Sequence, residues 1–180
     1  MVRIALGCSA SAALHKGADL SSKLTQSGHE VRVVLTARAA ELISPQLFEA
    51  LTSQPAHVAE FGAARKGAMD HIQLSQWVEM WLLAPAGADL IAKLAHGMAD
   101  DLLTTAILAT PIAVPRLLAP AMNPHMLGHP ATKRNLNLLE GDGWRILGSG
   151  DGHMACGVHG AGRLLEPAEI LARVAAELQR

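Results

Sequence analysis

Three side chains in this 180-residue chain have the types and settings to do chemistry: His71, Asn123 and Cys156. His71 stands between Asp70 and Ile72. An imidazole titrates near neutral pH, so His71 can serve as a general base. The chain has nine histidines, so position counts for more than presence, and a hydrogen-bonded structural histidine is the alternative. Asn123 lies between Met122 and Pro124. Its amide offers both a donor and an acceptor to a carboxylate, and it would equally suit the N-cap of a helix that follows. Met126 either packs on the aromatic face of a cofactor or fills core space. Cys156 sits in Gly152-His153-Met154-Ala155-Cys156-Gly157-Val158-His159-Gly160. A cysteine in so glycine-rich a loop reads as a reactive thiol on a flap. His153, Cys156 and His159 also allow a metal site. Zinc sites usually draw on four ligands with a Cys-x-x-Cys pair, and no second ligand cluster stands nearby, so no metal is expected.

A second group of residues suits an anion. Gly7-Cys8-Ser9-Ala10-Ser11-Ala12 follows an apolar run and opens a helical pattern. Backbone N–H groups at a helix start, with the Ser9 and Ser11 hydroxyls, can hold a phosphate, and Thr36 after the next apolar run adds a third hydroxyl. The loop has neither G-x-G-x-x-G nor a P-loop Lys-Ser/Thr pair, which favours a mononucleotide over a dinucleotide or triphosphate. A tight strand-to-helix turn would demand the same small residues.

These residues need elements to position them, and strand-like and helix-like runs alternate along the chain. Strands are expected at 2–6, 31–35, 78–84, 112–119 and 144–147. Helices are expected at 12–27 (stopping at Gly28), 44–53, 71–76, two between 88 and 109, 130–141, and after Pro167. Ser44 and Pro45 suit the N-cap and first position of the second helix. Pro115 inside the fourth strand argues for an edge or a bulge. Residues 54–70 read as irregular and 148–163 as a glycine-rich loop. Strands apolar on both faces, alternating with helices, predict a mostly parallel sheet covered on both sides. Such folds bind ligands at the carboxyl ends of their strands. Small and hydroxyl residues collect there, as do Pro85-Ala86-Gly87-Ala88-Asp89 after the third strand and Pro120-Ala121-Met122-Asn123 after the fourth.

Composition narrows the partners. The formal net charge is -1, and the chain holds three Trp, two Phe and no Tyr, so neither a nucleic-acid platform nor an anionic membrane is expected. The first apolar run is too short for a signal core or a membrane span. Two distant cysteines, Cys8 and Cys156, fit a reducing cytoplasm rather than a disulfide framework. Residues 1–180 read as a single domain.

Five ordered motifs resemble the homo-oligomeric flavin-containing cysteine decarboxylases, and within them the phosphopantothenoylcysteine decarboxylases of coenzyme A biosynthesis. They are His71-Ile72-x-Leu74-x-x-Trp77, Ala84-Pro85-Ala86-Gly87-Ala88-Asp89-Leu90-Ile91-Ala92-Lys93, Ala99-Asp100-Asp101-Leu102-Leu103-Thr104-Thr105, Pro120-Ala121-Met122-Asn123-x-x-Met126, and Ala155-Cys156-Gly157 with Gly160-x-Gly162-Arg163. The resemblance implies a Rossmann-like or flavodoxin-like three-layer α/β sandwich that binds FMN. It places Ser9, Ser11 and Thr36 at the phosphate, and Gly87, Ala88, Asp89 and Ala121 at the flavin. It makes His71 the base, Asn123 the holder of the substrate carboxylate, and Cys156 the thiol that completes the last step. Met126, Ala155 and Gly157 would face the substrate. The implied reaction oxidises a cysteine thiol to a thioaldehyde, releases carbon dioxide to leave an enethiol, then returns hydride and a proton. The substrate this implies is a small cysteine-containing molecule, phosphopantothenoylcysteine. The alternatives are a peptide's C-terminal cysteine, where the reaction stops at the enethiol, and flavin binding without catalysis. A homotrimer or a trimer-based dodecamer, with sites between subunits, is implied. The chain departs from the family at Gly87, often Ser or Thr, at Asp89-Leu90, often Asn-Thr, at Gln76, usually Arg, and at Val158, usually Asp. Bacterial members often carry a ligase domain behind this one, which these 180 residues do not include.

Overall fold

A computed structural model describes residues 1–62, 67, 69–153, 157 and 159–179. The chain starts in strand β1 (Arg3–Cys8), buried from Ile4 onward. Helix α1 (Leu14–Gln26) returns to β2 (Glu30–Leu35) through a turn at Gly28, whose φ is 84°. Glycine takes that left-handed conformation at no steric cost. Helices α2 (Ala37–Leu42) and α3 (Pro45–Thr52) lead to the two-residue strand β3 (Ala56–His57). Ser44 caps α3 by accepting from the Gln46 N–H at 3.3 Å, and Pro45 holds its first position, as the sequence predicts. Helix α4 (Asp70–Trp77) precedes β4 (Met80–Ala86), which is buried at every position.

Helix α5 (Ala88–Ala95) and helix α6 (Leu102–Ala109) follow, the latter opened by an Asp101/Thr104 capping box. Strand β5 (Arg116–Pro120) runs between β4 and β6 (Arg145–Ile146), with α7 (Pro124–Gly128) and α8 (Pro130–Gly141) in the connection. A hairpin of β7 (Gly150–His153) and β8 (His159–Arg163) precedes the last helix, α9 (Pro167–Glu177).

The six-stranded sheet has the order β3-β2-β1-β4-β5-β6, and each of its pairs is parallel. One apolar layer joins Leu14, Leu20 and Leu24 of α1, Phe48 of α3, and Ile170 and Val174 of α9 to one sheet face. The other joins Leu74, Leu90, Ile91, Leu103, Ala106 and Leu139 to the opposite face. This is the three-layer α/β arrangement expected. Chain direction across the sheet reverses between β1 and β4, so the switch point lies there. Gly7 permits the tight packing beside it. A Cβ there would stand 2.4 Å from Leu83 Cδ2 and 2.8 Å from Leu103 Cδ1.

Four expectations about elements need correcting. Pro115 does not mark an edge: β5 is internal, and Pro115 stands just before it, its carbonyl accepting from the Trp81 N–H at 2.9 Å. The missing proline N–H therefore falls outside the ladder. The glycine-rich stretch 148–163 contains a hairpin rather than only a loop. Residues 54–70 include β3, and α2 stands where no helix was expected, whereas α7 is the helix that the capping reading of Asn123 calls for. No helix among the described residues is long and apolar enough to cross a membrane.

Candidate active site

The carboxyl ends of β1, β2, β4 and β5 surround one cavity of about 860 Å³. Ser9, Ser11, Thr36, Gly87, Ala88, Asp89, Ala121, Asn123 and Met126 all line it. The fold thus brings together expected site residues that lie as far apart as positions 9 and 126.

Ser9 is buried, and both roles of its hydroxyl are committed within the protein. Its Oγ donates to the Pro85 carbonyl at 3.0 Å and accepts from the Gly87 N–H at 2.8 Å. Pro85 is entered through a cis peptide bond from Ala84. Ser9 therefore splices the end of β1 to the end of β4 and shapes the cavity floor. Ser9→Ala is expected to cost about 1–2 kcal/mol in urea unfolding and to weaken flavin retention. The Gly87 N–H loses its acceptor, whereas the Pro85 carbonyl keeps the Ser9 N–H at 3.0 Å. An unchanged midpoint and full flavin retention would contradict this.

Ser11 Oγ accepts from the Ala13 N–H at 3.1 Å, and Thr36 Oγ1 accepts from the Ala39 N–H at 3.3 Å. Around them stands a set of unused donors. The backbone N–H groups of Ala10, Ser11 and Ala12, before α1, have no acceptor among the described residues. The same holds for Ala88, Asp89 and Leu90 in the first turn of α5, whose N-cap Gly87 has no side chain to offer. The α5 donors stand at a helix start and carry partial positive charge, the turn before α1 adds three more N–H groups, and together they suit an anion or a carbonyl-rich ring. The walls are small at Ala10, Ala12, Ala13, Gly87, Ala88 and Ala121, leaving room for a planar group. A Cβ on Gly87 would come within 3.3 Å of Ser9 Oγ. These donors and these walls fit FMN.

Asn123 is the N-cap of α7, and its Oδ1 accepts from the His125 N–H at 2.8 Å. Capping and cavity lining thus coexist at one side chain. The residue before it ties the site to the hairpin, because the Met122 N–H donates to the Gly162 carbonyl at 3.0 Å. Gly160 also packs near Pro124, where a Cβ would meet Cγ at 3.4 Å. Met126 is 48% exposed, so it is cavity wall rather than core filler. Gly157 is exposed, with φ at 80°. Ala155 and Cys156 lie outside the described residues. Cys8 is a free, buried thiol whose Sγ donates to the Ala84 carbonyl at 3.1 Å, and burial holds it in the neutral form.

His71 does not line this cavity in its own chain. It stands at the start of α4, in contact with Glu60. Gln76 is exposed on α4 and also lies off the cavity, so its departure from the family leaves this cavity's lining unchanged.

Sequence reasoning gave no site role to five charged residues that also line the cavity: Lys16, Arg38, Lys93, Asp101 and Arg163. Glu166 Oε1 bridges Lys16 at 2.9 Å and Arg163 at 3.1 Å, and the Lys16 contact holds its carboxyl below the usual range. Lys93 faces Asp100 at 3.0 Å, which raises its ammonium pKa. Among the described residues no group of three or more His, Cys, Asp or Glu side chains could hold a metal.

The chain belongs to the Flavoprotein family, which matches residues 1–179. It is 44% identical to a coenzyme A biosynthesis bifunctional protein CoaBC of Vibrio vulnificus, over 94% of this chain and 42% of that protein. The chain thus spans about two-fifths of the length of these bifunctional relatives. A probable phosphopantothenoylcysteine decarboxylase of Streptococcus mutans is 36% identical, over 98% of both chains. Among solved structures, a PPC decarboxylase mutant complexed with pantothenoylaminoethenethiol superposes with a TM-score of 0.87, 27% identity and 99% coverage of both chains. The FMN-dependent cysteine decarboxylase SpaF does so at 0.78, with 30% identity and 98% coverage of both.

Proposed function

We propose that this protein is an FMN-dependent decarboxylase acting on the cysteine carboxylate of 4'-phosphopantothenoylcysteine, and that it forms 4'-phosphopantetheine for coenzyme A. The observation that carries the reading is the cavity at the switch point, where the turn before α1 and the start of α5 hold backbone N–H groups with no acceptor among the described residues, beside Asn123. The Flavoprotein family and the named relatives support it from outside the chain.

The residues divide the work. Ser11, Thr36 and the N–H groups of Ala10 to Ala12 hold the phosphate end of the cofactor. Gly87 to Asp89 and Ala121 line its ring. Bound FMN would supply the acceptor and donor of two electrons that an aliphatic carboxylate lacks when it must lose carbon dioxide. Asn123 orients the carboxylate, with Met126 beside it. His71 takes the proton of the reacting cysteine thiol. Cys156 gives a proton in the last step.

A homotrimer, or a dodecamer of trimers, completes this site by bringing His71 of one protomer to Asn123 of the next. The absence of His71 from the cavity of its own chain supports that arrangement. Residues 1–180 form one catalytic domain that works in the cytoplasm, without nucleic-acid or membrane partners.

Purified protein should be yellow and should convert phosphopantothenoylcysteine to a product lighter by carbon dioxide alone. A cysteine-ended peptide, incubated in parallel, tests the rival substrate. Protein that stays colourless with FMN, or that acts only on the peptide, would overturn the proposal. Cys156→Ser should shift the product mass to loss of carbon dioxide plus two hydrogens, the enethiol, with the flavin left reduced. Normal product from that variant would remove Cys156 from its role.

A further inference from the structure

Two carboxylate–imidazole pairs join the same two segments, the exit of β3 and the start of α4. His57 Nδ1 stands 3.8 Å from Asp70 Oδ2, and both side chains are buried. Three residues after His57, Glu60 contacts Nδ1 of His71. The second pair reaches the surface: the His71 side chain is 21% exposed and that of Glu60 12%. Nδ1 itself is buried and touches Glu60 without a hydrogen bond in this structure, so the exposed part of the ring is the edge away from Glu60, where Nε2 sits.

We propose that Glu60 is the positioning residue for His71. From that contact a turn of its carboxylate lets it accept the Nδ1–H, which fixes that tautomer and leaves the Nε2 lone pair as the basic site. The proposal rests on the assignment of His71 as the base in the decarboxylase reading. The physical argument has two parts. An imidazole with two possible tautomers is a useful base only when the second nitrogen is held by an acceptor, and a carboxylate is the strongest acceptor available. When Nε2 takes the thiol proton, the ring becomes a cation. His71 is the second residue of α4, where the positive end of the helix opposes a cation. Glu60 supplies the counter-charge at that spot. The carboxylate is not consumed, and the proton remains on His71 until the ring returns it.

The test uses the full-length FMN-loaded protein with Glu60→Gln and Glu60→Asp. The ring nitrogens of His71 are read by 15N NMR and identified by their loss in His71→Asn. The wild-type ring should carry its proton on Nδ1. Glu60→Gln should move it toward Nε2–H or a mixture and lower kcat about 10- to 100-fold, as removal of a residue behind a histidine does. KM and flavin content should hold. Glu60→Asp should recover most of the rate. An unchanged tautomer in Glu60→Gln, a rate loss matched by flavin loss, or Glu60→Asp as poor as Glu60→Gln would each overturn the assignment. The ring measurement needs no turnover. A wild-type protein inactive on both thiol substrates, yet showing the Nδ1–H ring that Glu60→Gln disturbs, would therefore sink the decarboxylase reading and leave this pairing standing.

Discussion

His71→Asn is expected to leave the protein folded and yellow while cutting carbon dioxide release roughly 100- to 10,000-fold, the range in which a positioned proton acceptor contributes. The retained colour follows from geometry. His71 does not line the cavity that fits FMN, so its replacement removes no flavin contact within the chain. The fold should also survive, because the buried residues of α4 are Asp70, Leu74 and Ser75, not His71. Asparagine keeps a polar group toward Glu60 but cannot take up a proton near neutral pH. Flavin absorbance per protomer, the unfolding midpoint and the rate of carbon dioxide release together check the outcome. A variant that releases carbon dioxide at the wild-type rate would show that His71 is not the base. One that loses its flavin would place His71 in cofactor binding instead.

How much of this could be read from the chain depends on the kind of interaction. Strands β1, β2 and β4 are buried in a parallel sheet, where apolar runs are nearly continuous, so Ile4 to Leu6, Val31 to Leu35 and Met80 to Ala84 were legible. Caps are local, so Ser44 and Pro45 were legible too. Helices α2 and α7, of six and five residues, are too short for a periodic pattern to register. The β7–β8 hairpin is built of glycine, histidine, aspartate, one alanine and one arginine, without apolar alternation, so only cross-strand pairing reveals it. The cavity walls were legible because parallel α/β sheets expose their loops at one edge. What each hydroxyl does there was not, since Ser9 spends its donor on Pro85, 76 residues away. Lys16 and Glu166, 150 residues apart, meet for the same long-range reason. Glu60 lies in a stretch with no regular pattern, and only the approach of β3 to α4 gives it His71 as a neighbour.

Asn123→Asp is the second large effect, and it separates the two uses of this side chain. Aspartate caps a helix as well as asparagine does, so the bond from the His125 N–H and the start of α7 should persist, with the unfolding midpoint nearly unchanged. Asn123→Ala, by contrast, should cost about 1 kcal/mol through the lost cap. The aspartate variant instead sets a negative charge where the substrate carboxylate must sit and removes the amide N–H2 donor. Repulsion of like charges in a walled cavity should lower kcat/KM by at least about 100-fold, or about 2.7 kcal/mol of transition-state binding. A variant that unfolds early but turns over normally would leave Asn123 as a cap and nothing more. The same substitution also tests how the site is assembled. If His71 and Asn123 of different protomers share each site, neither variant alone is active. Co-expressed His71→Asn and Asn123→Asp subunits should then regain activity at about a quarter of their sites, those where chance mixing pairs an intact His71 with an intact Asn123. Mixed oligomers as inactive as either parent would mean that one chain must supply both residues, and the separation of His71 from the cavity would then require a movement of α4 within the protomer.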